Sequence, residues 1–117
     1  MIQTKRIYDS TADTDGCRIL VERLWPRGVS KERAALDYWL KDIAPSTELR
    51  KWYNHDLKRW EEFKVKYLEE LKEKRELIEQ INKLEHEHGT VTLLYASKDG
   101  SHASVTVLAE LLHKEKG

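Results

Sequence analysis

Two runs of consecutive apolar residues near opposite ends of the chain restrict its folding more than any other feature. The first is Ile19-Leu20-Val21; the second is the β-branched, apolar segment Thr90 to Ala96. A strand with one wet face alternates apolar and polar residues, whereas a run apolar at successive positions is covered on both faces. Both segments are therefore expected to be buried strands, and the stretch between them carries helical periodicity. Strands near both ends with helices between them predict an α/β layered fold, a short central sheet covered by about five helices. At 117 residues the chain is the size of one ordinary domain, with no linker or internal repeat to divide residues 1–117.

Gln3 to Tyr8 reads as a short strand. Asp9 to Gly16 is turn chemistry ending in Asp-Gly, and Cys17 to Leu24 is the next strand. So short a connection makes a hairpin the default, with a parallel arrangement joined by coil as the other option. Ser30 is placed to cap a helix with Leu36, Trp39, Leu40 and Ile43 on one face, ending before Pro45. Ser46 is placed to cap a second, short helix that buries Leu49 and Trp52; a nucleophile reading of Ser46 is the weaker one, because capping needs the same residue type. Asn54, His55 and Asp56 break that helix, and Asp56 caps the next. From Leu57 to about Glu87 two apolar stripes run along a helical pattern, interrupted by the charged segment Lys72 to Glu76. Gly89 stops the helix. Ser97 to Ser101 is a turn, and a last helix begins near Ser101 or His102.

Charge limits the partners. Lys plus Arg total 21 and Asp plus Glu total 21, a formal net charge of zero. Proteins that coat nucleic acid carry a basic excess, so the balance disfavours that role and leaves room only for a local patch. Cys17 is the single cysteine, which excludes an internal disulfide and suggests a reducing compartment. Met1 to Arg6 leads into no long apolar run, and no segment reaches membrane-spanning length. A cytoplasmic location without a membrane partner is expected. No cofactor is indicated. No metal set is indicated either, since His86 and His88 are two apart and do not share a helical face.

One turn is not explained by burial. Arg23-Leu24-Trp25-Pro26-Arg27-Gly28 combines two guanidinium groups, an indole, a rigid proline and a permissive glycine. It follows one buried strand, as Ser97 to Ser101 follows the other. If the two strands are parallel neighbours, both turns open on the same edge, where ligands of layered α/β domains bind. Arg23, Trp25, Arg27, Lys31, Lys98 and His102 are the candidate ligand-binding residues. The arginines suit a phosphate or carboxylate, and the indole offers a stacking face. Against this stand bland roles: Arg23 pairing with Glu22, Asp42 or Glu48, Trp25 serving as core, and Pro26 and Gly28 shaping the turn. No catalytic group is singled out; Asp9 and Glu22 are an acid–base pair only if the fold brings them together.

The same residues carry a resemblance. Lys5-Arg6-Ile7-Tyr8-Asp9, Arg18 to Val21, the hexapeptide Arg23 to Gly28, Pro45 to Lys51 and Thr92 to Tyr95 resemble the YeaO-like family. These are small bacterial and archaeal proteins grouped under a domain of unknown function, and the resemblance spans nearly the whole chain. It implies the α/β fold and no settled activity. This chain departs from the family pattern twice. Glu22 stands where an aspartate is common before the arginine of the hexapeptide. Ala103-Ser104 stands where an Asn-His pair often opens the last helix, with His102 two residues earlier. The expected function is binding of a small anionic, phosphate-containing or nucleotide-like ligand at the turn, with hydrolysis as an option. The rivals are a nucleic-acid interaction module and a non-catalytic structural protein.

Overall fold

Leu93 and Leu94 are both fully buried, one on each face of the sheet, as two successive apolar positions in a central strand require. The structure is a computed structural model describing residues 1–116. Its strands are β1 (Ile2–Arg6), β2 (Cys17–Leu20), β3 (Tyr38–Trp39) and β4 (Val91–Tyr95). Its helices are α1 (Lys31–Ala34), α2 (Thr47–Tyr53), α3 (Trp60–Lys72), α4 (Arg75–His88) and α5 (Ser104–Lys116). The sheet order is β1-β4-β2-β3, and every neighbouring pair is parallel.

The hairpin expectation is overturned. β4, the last strand in the chain, lies between β1 and β2 and pairs with both, Gln3 opposite Thr92 and Ile19 opposite Leu93. The Asp9–Gly16 connection is a coil crossover with one short 3-10 turn, Asp13–Asp15. Asp15 anchors it from a buried position. Its carboxylate accepts from Lys5 Nζ at 2.8 Å, from Arg18 Nη1 at 2.5 Å and from the Ala12 amide at 3.1 Å. Arg18 in turn donates to the carbonyls of Ala34 and Ala35, tying the crossover to α1.

The helix expected after Ser30 is a single turn. Ser30 caps it as anticipated, accepting from the Arg33 amide, but Ala35 takes a left-handed conformation and ends it. The chain then runs along the open edge of β2. The Asp37 amide donates to Arg18 O and the Leu40 amide to Leu20 O, making Tyr38–Trp39 a short edge strand. Trp39 is therefore 38 % exposed, not inward-facing on a helix. Backbone groups along β2 needed partners, and satisfying them outweighed the helical spacing of the apolar residues.

The two sheet faces are covered unequally. One carries the main core, formed by α2 to α5 with Phe63, Tyr67, Leu71, Ile78, Ile81 and Leu108. Leu20, Leu94 and Ile7 face the other way, against Val29 and Ala34 with Trp25 and Leu36 beside them. The break anticipated between Lys72 and Glu76 falls at Glu73 and Lys74, separating α3 from α4.

The irregular segment before α2 is held at nearly every polar atom. Tyr67 Oη donates to Ile43 O at 2.7 Å. Lys74 Nζ and Arg23 Nη2 both donate to Ala44 O, and Arg23 Nε donates to Pro45 O. The Ser46 amide and hydroxyl donate to the two oxygens of Glu70, while Ser46 Oγ accepts from the Leu49 amide. Ser46 is thus a helix cap held by a carboxylate. The wall this segment forms is rigid because its carbonyls are satisfied by α3, the α3–α4 junction and Arg23.

Candidate functional site

Parallel pairing puts the carboxyl ends of all four strands on one edge, and a cleft of about 610 Å³ opens there. Glu22 lines it and bridges the ends of the two central strands, with Oε1 accepting from the Ala96 amide at 2.9 Å. Arg23, Leu24, Ala44 and Pro45 line one side, and Ser97, His102, Ala103 and Ser104 bring in the start of α5. Residues Arg50, Lys51, Tyr53 and Asn54 of α2 and its end, with His55 and Phe63, complete the lining.

The charges inside are unbalanced. Arg23, Arg50 and Lys51 line the cleft, and Glu22 is the one carboxylate among the lining residues. Arg23 is anchored by two carbonyls and approaches exposed Asp42 at 3.8 Å. Arg50 and Lys51 are exposed, with no carboxylate within ion-pair distance among the described residues. Burial raises the affinity of Glu22 for its proton, an effect opposed by the Ala96 amide and by Arg50. His102 Nδ1 lies 2.9 Å from Asp99 Oδ2, and its ring meets Trp60 edge-on. Asp99 also accepts from the amides of Ser101 and His102, so it caps the 3-10 turn Gly100–His102. His55 sits at φ 55°, a left-handed conformation uncommon for a side-chain-bearing residue, and enters the cleft from the turn after α2.

The start of α5 has a further feature. Ala103, the residue before it, has the extended backbone of a helix cap (φ −104°, ψ 153°) and no side-chain acceptor. The Thr106 amide donates to Ala103 O at 3.0 Å, while the earlier amides of the first turn lack partners within the helix and lie beside the cleft. Ala103→Ser is expected to supply the missing acceptor and to stabilise the fold by about 1 kcal/mol. That is a rise of roughly 4 °C in melting temperature for a domain of this size. A lower melting temperature would mean that these amides are already satisfied.

Of the six candidate residues, the structure brings Arg23 and His102 into the cleft. Trp25 covers the opposite sheet face, donates from Nε1 to Val29 O at 2.7 Å and meets Trp39 edge-on. Arg27 and Lys31 are exposed and do not line the cleft, and neither does Lys98. Asp9 and Glu22 form no pair: Asp9 is exposed, and Glu22 is engaged by Ala96. Arg50, Lys51, Tyr53 and Phe63 were not singled out from the sequence as ligand residues. The resemblance to the Pro45–Lys51 segment was the available signal for the first two. Cys17 is buried as the first residue of β2, and burial pushes its thiol up to about 11, so it is protonated at neutral pH.

The fold and cleft define a small α/β protein with a basic opening at the carboxyl edge of a parallel sheet. Residues 1–116 match the family model described as the inactive DUF488-N3 subclade, and the chain belongs to that family. It is 41 % identical to the uncharacterized protein YeaO of Escherichia coli K12 over 111 residues, 95 % of this chain and 96 % of that one. It is 38 % identical over 112 residues to the uncharacterized proteins Rv3073c of Mycobacterium tuberculosis H37Rv and Mb3100c of Mycobacterium bovis, covering 96 % of this chain and 93 % of each. No solved structure matches the chain. No helix among the described residues is long and apolar enough to cross a membrane.

Proposed function

We propose that the protein binds a small phosphate-containing anion in this cleft. The observation that carries the reading is the convergence of Arg23, Arg50 and Lys51 on one opening against a single lining carboxylate. Arginine grips phosphate oxygens with paired hydrogen bonds, and a half-enclosed site screens such contacts less than open water does. The uncapped start of α5 adds amides and a partial positive charge on the same side. Binding without turnover is supported by the family's description as inactive and by the Ala103-Ser104 pair at the start of α5. The proposed binding place is the cleft beside Arg23 and Leu24, while Trp25 of the same turn serves the far sheet face.

Inorganic phosphate in low-salt buffer is expected to raise the melting temperature of the wild-type protein. Arg50→Ala should weaken that binding roughly 10-fold or more, the size of one hydrogen bond to a charged group. Arg50 is exposed on α2, and its side chain makes no hydrogen bond or ion pair among the described residues, so the variant should remain folded. Titration calorimetry on both proteins checks it. No phosphate effect on the wild type, or an equal effect on both, overturns the reading.

A further inference from the structure

We propose that the occupant is an organic phosphate of about nucleotide size whose non-phosphate part presents a hydrogen-bond donor to Glu22; this rests on the anion reading above. Three observations carry it. First, a bare inorganic anion does not account for the space, because about 610 Å³ is the volume of a small-molecule site and many times that of phosphate. Second, the lining is chemically divided. Arg23, Arg50 and Lys51 supply cations, while exposed Leu24, with only the margins of buried Tyr53 and Phe63 behind it, supplies apolar surface suited to a carbon skeleton.

Third, Glu22 is the one carboxylate lining a cleft with three basic side chains, and a carboxylate there opposes binding of a bare anion. Its Oε1 is held by the Ala96 amide, which spans the ends of β2 and β4 and fixes the carboxyl group in place. Its Oε2 makes no hydrogen bond among the described residues and keeps exposed surface, on a residue that lines the cleft. A fixed, half-desolvated acceptor favours ligands that bring a hydroxyl or amino donor and disfavours those that bring none. Glu22 is in this account a specificity residue: the cations hold the phosphate, and Glu22 selects what is attached to it. Burial already raises its affinity for a proton, so a ligand donor would replace an interaction that water supplies poorly.

The test compares three probes by calorimetry: inorganic phosphate, phenyl phosphate, which has a ring and no donor, and adenosine 5′-monophosphate, which has both. The wild-type protein is expected to bind the nucleotide about 10-fold more tightly than phenyl phosphate. Glu22→Gln keeps an acceptor for the Ala96 amide but turns an N–H₂ group towards the cleft. It should reduce that preference to about 3-fold or less while leaving inorganic phosphate bound as tightly or more tightly, since a negative charge has gone. An unchanged or larger preference in Glu22→Gln overturns the proposal, as does equal affinity of the wild type for the nucleotide and phenyl phosphate. Failure of inorganic phosphate to bind at all overturns the underlying anion reading instead. Should Glu22→Gln fold poorly, the wild-type Ala96 amide resonance carries the test. It should shift with the nucleotide and not with phenyl phosphate, and identical shifts with both would sink the idea.

Discussion

Asp15→Ala is expected to cost about 3–5 kcal/mol, because it leaves a buried guanidinium without its counter-ion. Asp15 and Arg18 are 2 % and 4 % exposed, so water cannot replace the lost partner. Arg18 would keep its bonds to the Ala34 and Ala35 carbonyls, but these are neutral acceptors for a full charge. Lys5 would lose its carboxylate as well, keeping the Ser10 carbonyl. The expected signature is a fall in the urea midpoint with the slope of the transition unchanged. A loss below 1 kcal/mol would show that the crossover relaxes and hydrates Arg18. Acid adds a second check. Burial pushes the Asp15 carboxyl up, but hydrogen bonds from Lys5, the Ala12 amide and Arg18 outweigh this and hold it below its ordinary value of 3.8. A carboxyl depressed in the fold contributes stability that is present above its unfolded value and lost as pH falls through the folded one. Wild-type stability should therefore drop as pH falls below about 3.8, and Asp15→Asn should lack that component of the drop.

Asp15 also shows why strand order was not legible from the chain. Asp9 to Gly16 has turn composition throughout, which suits a hairpin as well as a crossover. Which of the two forms is decided by β4, more than seventy residues later, inserting between β1 and β2. The two central strands were legible because consecutive apolar residues report burial on both faces without reference to any partner. The segment after Ala34 was not, because the positions of Leu36, Trp39, Leu40 and Ile43 satisfy a helical period. Their role as edge strand and turn exists only once β2 offers an unpaired edge. The caps at Ser30 and Ser46 were legible since capping is a local interaction.

The cleft divides along the same line. Arg23 stood out because a guanidinium directly after a buried strand needs a reason, and the structure gives it two carbonyl anchors beside the cleft. Arg50 and Lys51 did not stand out. On a short amphipathic helix, an exposed face bordering a cleft has the same composition as one bordering solvent. Trp25 carried two readings, stacking and core, and its place in the fold is the second. An indole in a charged turn suggests stacking, yet it covers the thinly protected face of the sheet over Leu20 and Leu94, where no long helix lies. The hexapeptide therefore does two jobs, Arg23 at the cleft and Trp25 on the far face.

Gly16→Ala is the second change expected to cost several kcal/mol, and Gly28→Ala is its control. Gly16 has φ 64° and ψ −134°, a region that residues with a side chain rarely enter. A Cβ there would lie 2.9 Å from both the carbonyl carbon and Cβ of Thr90, and nearer still to the carbonyl oxygen. That oxygen accepts from the Cys17 amide at 2.9 Å, the first bond holding β2 to β4. Thr92 Oγ1, one turn of the pleat further on, donates to Asp15 O at 2.6 Å. Neither side can withdraw without opening the sheet or the buried Asp15–Arg18 pair. Backbone strain of about 1–3 kcal/mol and overpacking of about 1–3 kcal/mol together predict a loss of roughly 3–5 kcal/mol. Gly28 has a similar φ of 77° but nothing within 4 Å of its Cβ position. Its alanine variant should lose only about 1 kcal/mol and, lying outside the cleft, keep the phosphate-induced rise in melting temperature. Thermal unfolding separates the two, since each kcal/mol corresponds to roughly 4 °C in a domain of this length. Equal losses at the two glycines would mean that φ alone sets the cost, and that the start of β2 is not pressed against Thr90.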